Sequence, residues 1–188
     1  MTEPTLRGAT VAFLVANEGV EQVELTEPWQ AVERAGGTPR LIAPGEGTVQ
    51  GFNARERADT FAVDLTVGAA DVAGFDCLVL PGGVVNGDKL RTDQNAVDLV
   101  TAFFAHGKPV ASICHAPWIL VEAGVLTGRR MTSWPSLATD LRNAGAEWVD
   151  EELVVDTQGP NTLITSRHPG DLGVFCAAVV EHTGAARS

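Results

Sequence analysis

The chain has 188 residues, of which 45% are hydrophobic and 20% charged, a balance that lets one domain bury a full core without disulfide or metal staples. With 24 acidic against 13 basic residues the net charge is −11, and no basic cluster reverses it locally, so a phosphate-backbone partner is disfavoured. The first eight residues are polar, and no apolar run approaches the ~18 residues of a membrane span. The expectation is a single domain over residues 1–188, cytoplasmic, with no nucleic-acid or membrane partner.

In chain order, residues 10–16 form a continuous apolar run, as in a strand covered on both faces. A helix follows, with Leu25, Trp29 and Val32 at i, i+4, i+7, and Gly36 and Gly37 stop it before a short strand at 40–43. Residues 48–66 are polar with short alternations and read as a β-excursion or hairpin. Residues 76–80 are again a buried strand, ended by Pro81, Gly82 and Gly83, where the backbone can turn sharply. The helix after Asp93 aligns Val97, Val100 and Phe104 and stops at Gly107 before a strand at 109–113.

Residues 115–126 are apolar nearly all round and predict a central helix with Pro117 in its first turn. A further helix carries Leu137 and Leu141, and strands follow near 153–155 and 162–165. The last helix buries Leu172, Phe175, Cys176 and Val179. This alternation predicts a doubly wound α/β sandwich.

The three cysteines are odd in number and widely spaced, which argues against a disulfide framework and a zinc site. Cys77 lies inside a strand and Cys176 on an apolar helix face, and both read as small hydrophobes. Cys114 differs, because Ala111-Ser112-Ile113-Cys114-His115-Ala116-Pro117 is a strand, a tight turn and a helix start, the plan of a nucleophile elbow. Amide groups there would favour a thiolate.

Cys114-His115 in ASICHAPW, Pro81-Gly82-Gly83, and Thr165-Ser166-Arg167 together resemble the ThiJ/PfpI superfamily. The stretches Val20-Glu21-Gln22-Val23-Glu24-Leu25 and Lys89-Leu90-Arg91 bring it nearest to the PfpI branch, the intracellular protease I or general stress protein group. The resemblance implies a flavodoxin-like fold with a mostly parallel central sheet, related to class I glutamine amidotransferases, and no metal or organic cofactor. It also implies a glutamate after the first strand that reaches the nucleophile. Glu21 matches it, with Glu18 and Glu24 competing nearby. A carboxyl held in a pocket against a thiolate has a raised pKa and can donate a hydrogen bond to the sulfur.

His115 matches the histidine regarded in that branch as catalytic base, although neighbouring side chains on a sharp turn tend to diverge, leaving substrate orientation or packing open. Asp88 matches an acid donated by a neighbouring subunit, one methylene shorter than the usual glutamate, or else is an exposed loop residue. His168 and Asp171 could form a second triad with Cys114, but Asp171 sits where a helix N-cap is expected, which favours a structural reading. Trp118 and Trp134 are candidate pocket walls or core residues.

The resemblance implies a stress-response cysteine enzyme, a homodimer or higher homo-oligomer, acting on small 2-oxoaldehydes or on their glycated protein adducts. Peptidase is its historical label. The alternative is a redox-sensing stress protein that works through oxidation of Cys114. A glutaminase subunit, requiring His168 and a synthetase partner, is a third reading.

Overall fold

The computed structural model describes residues 5–187; residues 1–4 and 188, with half of the polar N-terminal stretch and both ends of the expected domain, lie outside the described residues. The first half of the chain gives β1 (Thr10–Leu14), β2 (Glu18–Glu21), α1 (Gln22–Arg34), β3 (Thr38–Ala43), β4 (Thr48–Asn53), β5 (Glu56–Ala62), β6 (Leu65–Thr66) and β7 (Cys77–Leu80). Then come α2 (Val84–Leu90), α3 (Gln94–Ala105), β8 (Val110–Ile113), α4 (Trp118–Glu122), β9 (Arg130–Met131), α5 (Ala138–Asn143), β10 (Glu147–Trp148), β11 (Val154–Asp156), β12 (Leu163–Ser166) and α6 (Leu172–Ala185).

The central sheet runs β11-β12-β8-β7-β1-β3-β6, parallel throughout except for β11 against β12. Strand β1 explains why it is covered twice. Ala12 and Leu14 point into one core, together with Leu90 of α2, Val100 and Phe103 of α3, and Leu141 of α5. Val11 and Phe13 point into the other, with Leu25 and Val32 of α1 and Phe175 and Val179 of α6. The period of two in a strand forces this split, so a run apolar at every position is stable only between two helical layers.

The chain adds strands on one side of β1 as far as β6 and then returns to the other side with β7, which places the topological switch between β1 and β7. In open parallel sheets the crevice at the carboxyl ends beside the switch is the place where loops diverge and a ligand fits.

Three stretches depart from the sequence reading. Residues 18–21, expected to lead straight into a helix, form β2, which pairs in parallel with β4; with the β4–β5 hairpin it makes a separate three-stranded sheet. The helix expected over 115–126 is helical only in α4, because residues 115–117 form turns ahead of it and Gly124, at φ 66°, ends the winding soon after. Asp171 does stand at the N-cap position of α6, but its side chain caps no amide there.

Candidate active site

Cys114 follows β8 directly and adopts φ 62°, the left-handed region that a non-glycine residue rarely occupies. Three neighbours hold it there. Its N–H donates to Ser166 O of β12 at 3.1 Å, its carbonyl accepts from Trp134 N at 2.9 Å, and Ala116 N closes the turn onto Ile113 O at 3.1 Å. The side chain is thereby lifted off the strand into a crevice of about 540 Å³ lined by Glu21, Glu24, Phe52, Arg55, His115 and Trp134 among others, yet it is itself only 6% exposed.

The carboxyl that meets the thiol is that of Glu24, which corrects the assignment of Glu21. Glu24 is fully buried, its Oε2 accepts from Gly82 N at 2.9 Å, and the carboxyl interacts with the Cys114 sulfur. Its other oxygen, Oε1, has no hydrogen-bond partner of ordinary geometry. Glu21 instead turns outward, both oxygens accepting from Ala54 N at 3.3 and 3.1 Å at the tip of the β4–β5 hairpin. Glu18 pairs with Lys89 at 2.6 Å. The physical reason is β2: four residues of extended chain precede the helix, so the first acidic residue on the inward stripe of α1 is Glu24, aligned with buried Pro28 and Ala31. A sequence signal was present, since an acid one residue before Leu25 and four before Pro28 falls on the core face.

Burial raises the Glu24 carboxyl to about 8, so near neutrality it holds its proton. Burial and an ionised Glu24 both push the Cys114 thiol up; a protonated Glu24 removes that repulsion and offers the sulfur a donor instead. The backbone N–H groups of Gly83 and His115 also point at the sulfur and favour its anion. Because α4 is so short, these two local amides, rather than a helix macrodipole, provide the backbone stabilisation.

The loop after β7 is built for this contact. A side chain at Gly82 would collide with Glu24 Oε2 and, at 2.7 Å, with Cys114 Cβ; one at Gly83, where φ is 101°, would collide with Gly19 O and lie 2.8 Å from Glu21 N. Buried Asn86 pins the loop: its Oδ1 accepts from Ala16 N at 2.7 Å, and its Nδ2 donates to Pro81 O and Gly82 O at 2.8 and 3.1 Å.

His115 does not diverge from its neighbour, since Nδ1 lies 3.2 Å from Cys114 Sγ. Its ring stacks on Trp134, centroids 5.4 Å apart and 26° between planes, and burial lowers its pKa to about 4, so it is neutral at pH 7. Trp134 is a pocket wall, 38% exposed, while Trp118 packs behind His115 and donates to Asp140 Oδ2. Asp88 is exposed on α2 and is not part of the crevice lining, so within one protomer it is not brought to Cys114.

The second triad is not assembled. Asp171 is committed to Arg167, accepting from its N, Nε and Nη2 at 3.1, 2.9 and 3.0 Å, and His168 Nδ1 accepts from Gly170 N at 3.2 Å. Arg167 also reaches Asp150 at 2.9 Å. It therefore clamps the loop that carries Pro169 against the crevice. Cys77 is wholly buried and its thiol is pushed up to about 12, and Cys176 to about 11, both by desolvation, as suits structural cysteines.

The same arrangement of chain is found in characterised sequences and solved structures. A deglycase of Pyrococcus horikoshii is 43% identical over 162 residues, covering 86% of this chain and 92% of that protein. General stress protein 18 of Bacillus subtilis is 38% identical over 156 residues, covering 82% and 87%. A solved two-domain protein of Anabaena variabilis, with DJ-1/ThiJ/PfpI-like and ferritin-like domains, superposes with a TM-score of 0.84 at 35% identity, over 93% of this chain and 50% of that one. Residues 9–182, nearly the whole described fold and every residue around Cys114, match one family, and the chain belongs to the DJ-1/PfpI family.

Proposed function

We propose that the protein is a cofactor-independent, deglycase-like cysteine enzyme that converts small 2-oxoaldehydes, or their adducts on thiols and amines, to 2-hydroxy acids. The observation that carries this reading is the buried, protonated Glu24 beside a thiol that also has a neutral histidine 3.2 Å away. Neutral His115, at 3.2 Å, relays the thiol proton to the substrate oxygen as the C–S bond forms, and the charge developing on sulfur is held by Glu24 and the amides of Gly83 and His115. With methylglyoxal, the sulfur adds to the aldehyde carbon and the oxygen takes a proton, giving a hemithioacetal. A proton then leaves C1 and one is added at C2, so C1 is oxidised and C2 reduced within the substrate, and a thioester results. Water cleaves that C–S bond, releasing lactate and the thiol, so the net change is addition of one water.

The names of the deglycase relatives support the adduct side of this reading. The redox-sensing alternative draws on the same sulfur, but a thiol only 6% exposed and buffered by its own acid and base is better suited to turnover than to capture by bulk oxidant. We further propose that the working form is a homo-oligomer in the cytoplasm: Val84 and Val85 are 54% and 47% exposed at the rim of the crevice, and Asp88 follows Val84 by one helical turn. In that assembly Asp88 would serve a neighbouring crevice.

The test is lactate formation from methylglyoxal by freshly reduced protein. Cys114→Ala abolishes it, and Glu24→Gln lowers kcat by about 10²–10³-fold, the scale for loss of one such group. Glu21→Gln leaves kcat within about threefold, because Glu21 does not touch the sulfur. No lactate from the wild-type protein would leave the redox reading in its place.

A further inference from the structure

The β4–β5 hairpin overhangs the crevice. Phe52, Ala54 and Arg55 all line it, together with the apolar Val84, Val85 and Trp134. Ala54 turns the hairpin at φ 56°, and its amide is latched by both oxygens of Glu21 from β2, which fixes where the next residue stands. That residue is Arg55, the only lysine or arginine in the lining.

Three other cations around the site are engaged, and Arg57, the next arginine of the hairpin, lies outside the crevice lining. Lys89 is paired with Glu18, Arg91 with Glu122, and Arg167 with Asp171 and Asp150. Among the described residues no hydrogen bond or ion pair engages the Arg55 guanidinium. Of the two acids in the lining, Glu24 is protonated, and Glu21 is held on the Ala54 amide, where it fixes the hairpin tip beside Arg55. On a chain of net charge −11, whose general field repels anions, one uncommitted guanidinium at the mouth makes a local exception.

We propose that Arg55 is a specificity-determining residue that selects substrates carrying a carboxylate or phosphate on the arm projecting from the reacting carbon, with Glu21 as the positioning residue that holds the hairpin tip over the crevice. This rests on the 2-oxoaldehyde and adduct reading of Cys114. A planar guanidinium can engage such a group with two parallel N–H donors, while Phe52 and Trp134 cover the uncharged part of the substrate.

The experiment compares two hemithioacetals of methylglyoxal, one with N-acetylcysteine, which is anionic, and one with N-acetylcysteine amide, which is neutral. For the wild-type enzyme the anionic adduct has the lower KM, by about fivefold or more, and 0.5 M salt narrows the difference. Arg55→Ala raises KM for the anionic adduct alone, Arg55→Lys restores part of the preference, and Arg55→Glu reverses it. Glu21→Ala reduces the preference without changing the pH profile of kcat. Equal KM values for the two adducts, or equal losses on both in Arg55→Ala, would overturn the proposal.

A second arm keeps it apart from the reading of the reaction. Binding of S-lactoyl-N-acetylcysteine and of its amide is measured calorimetrically on Cys114→Ala with and without Arg55→Ala. Tighter binding of the anion that depends on Arg55 upholds the selectivity even if wild type turns over neither adduct, which would instead sink the proposed activity; no such dependence overturns it.

Discussion

At the scale of residues, the decisive feature is a carboxyl placed where only its neutral form is comfortable. Glu24 titrates near 4.5 when the chain is unfolded and about 8 when folded. Between those values the folded state holds a proton that the unfolded state has released, so stability falls as pH rises through that window. Glu24→Gln, which cannot ionise, removes the dependence. Thermal melts from pH 5 to 8.5 are therefore expected to show wild type losing about 1–3 kcal/mol relative to the variant, less than the full shift because Cys114 shares the proton. A parallel decline of both proteins would mean that Glu24 is not the group responsible. His115 carries the opposite sign: its folded value of about 4 lies below the unfolded one, so its contribution is present above pH 6.5 and lost as pH falls. Cys114 was legible in the sequence because it adjoins a strand end, whereas the sequence left His115 open between base, substrate orientation and packing. Glu24 was not legible as the partner acid, because β2 turns Glu21 toward the hairpin while Glu24, beside Leu25 on the buried stripe of α1, is the acid that faces inward.

At the scale of elements, the loop from β7 into α2 fixes the site more tightly than any helix does. Gly82 and Gly83 leave room for Glu24 and Cys114 on one side and for the Gly19 backbone on the other, and Asn86 ties the loop back to the end of β1. Gly83→Ala must both adopt φ near 101° and displace backbone, so a loss of about 1–3 kcal/mol in urea unfolding is expected, with kcat reduced because the Gly83 amide moves off the sulfur. A variant as stable and active as wild type would show that the loop yields freely. The Pro-Gly-Gly run announced the turn, but β2 and the shortening of the 115–126 helix were hidden. Residues 18–21 have little strand character of their own and pair only because β4 lies alongside, and the apolar run after Cys114 reflects burial of the turn and of Ile119 and Leu120 rather than helical length.

At the scale of the whole molecule, the apolar pair Val84 and Val85 at the crevice rim, with Asp88 on the same helix, bears on assembly. Sedimentation equilibrium is expected to give a dimer or larger species for wild type and a monomer for the Val84→Asp, Val85→Asp double variant. Asp88→Ala is expected to remain assembled but to lose about tenfold or more in kcat. A wild-type monomer with full activity would remove both the assembly and the role of Asp88. No helix among the described residues is long and apolar enough to cross a membrane.

The sequence by itself determined the layered α/β architecture, since apolar runs of strand length alternating with amphipathic helical stretches can bury their surface in few other ways. It also determined the position of the thiol, because a cysteine between a buried strand and a proline-containing turn must stand at a strand's carboxyl end. Tertiary structure alone decided which acid meets that thiol, whether His115 turns toward it, and that Asp171 belongs to Arg167 rather than to His168. The first two of those choices depend on contacts between segments far apart in the chain: Gly82 with Glu24, β4 with β2, Trp134 with Cys114; the third is a local pairing that the sequence leaves open between two neighbours. Local pattern fixes what a segment can be, and only packing fixes what it faces.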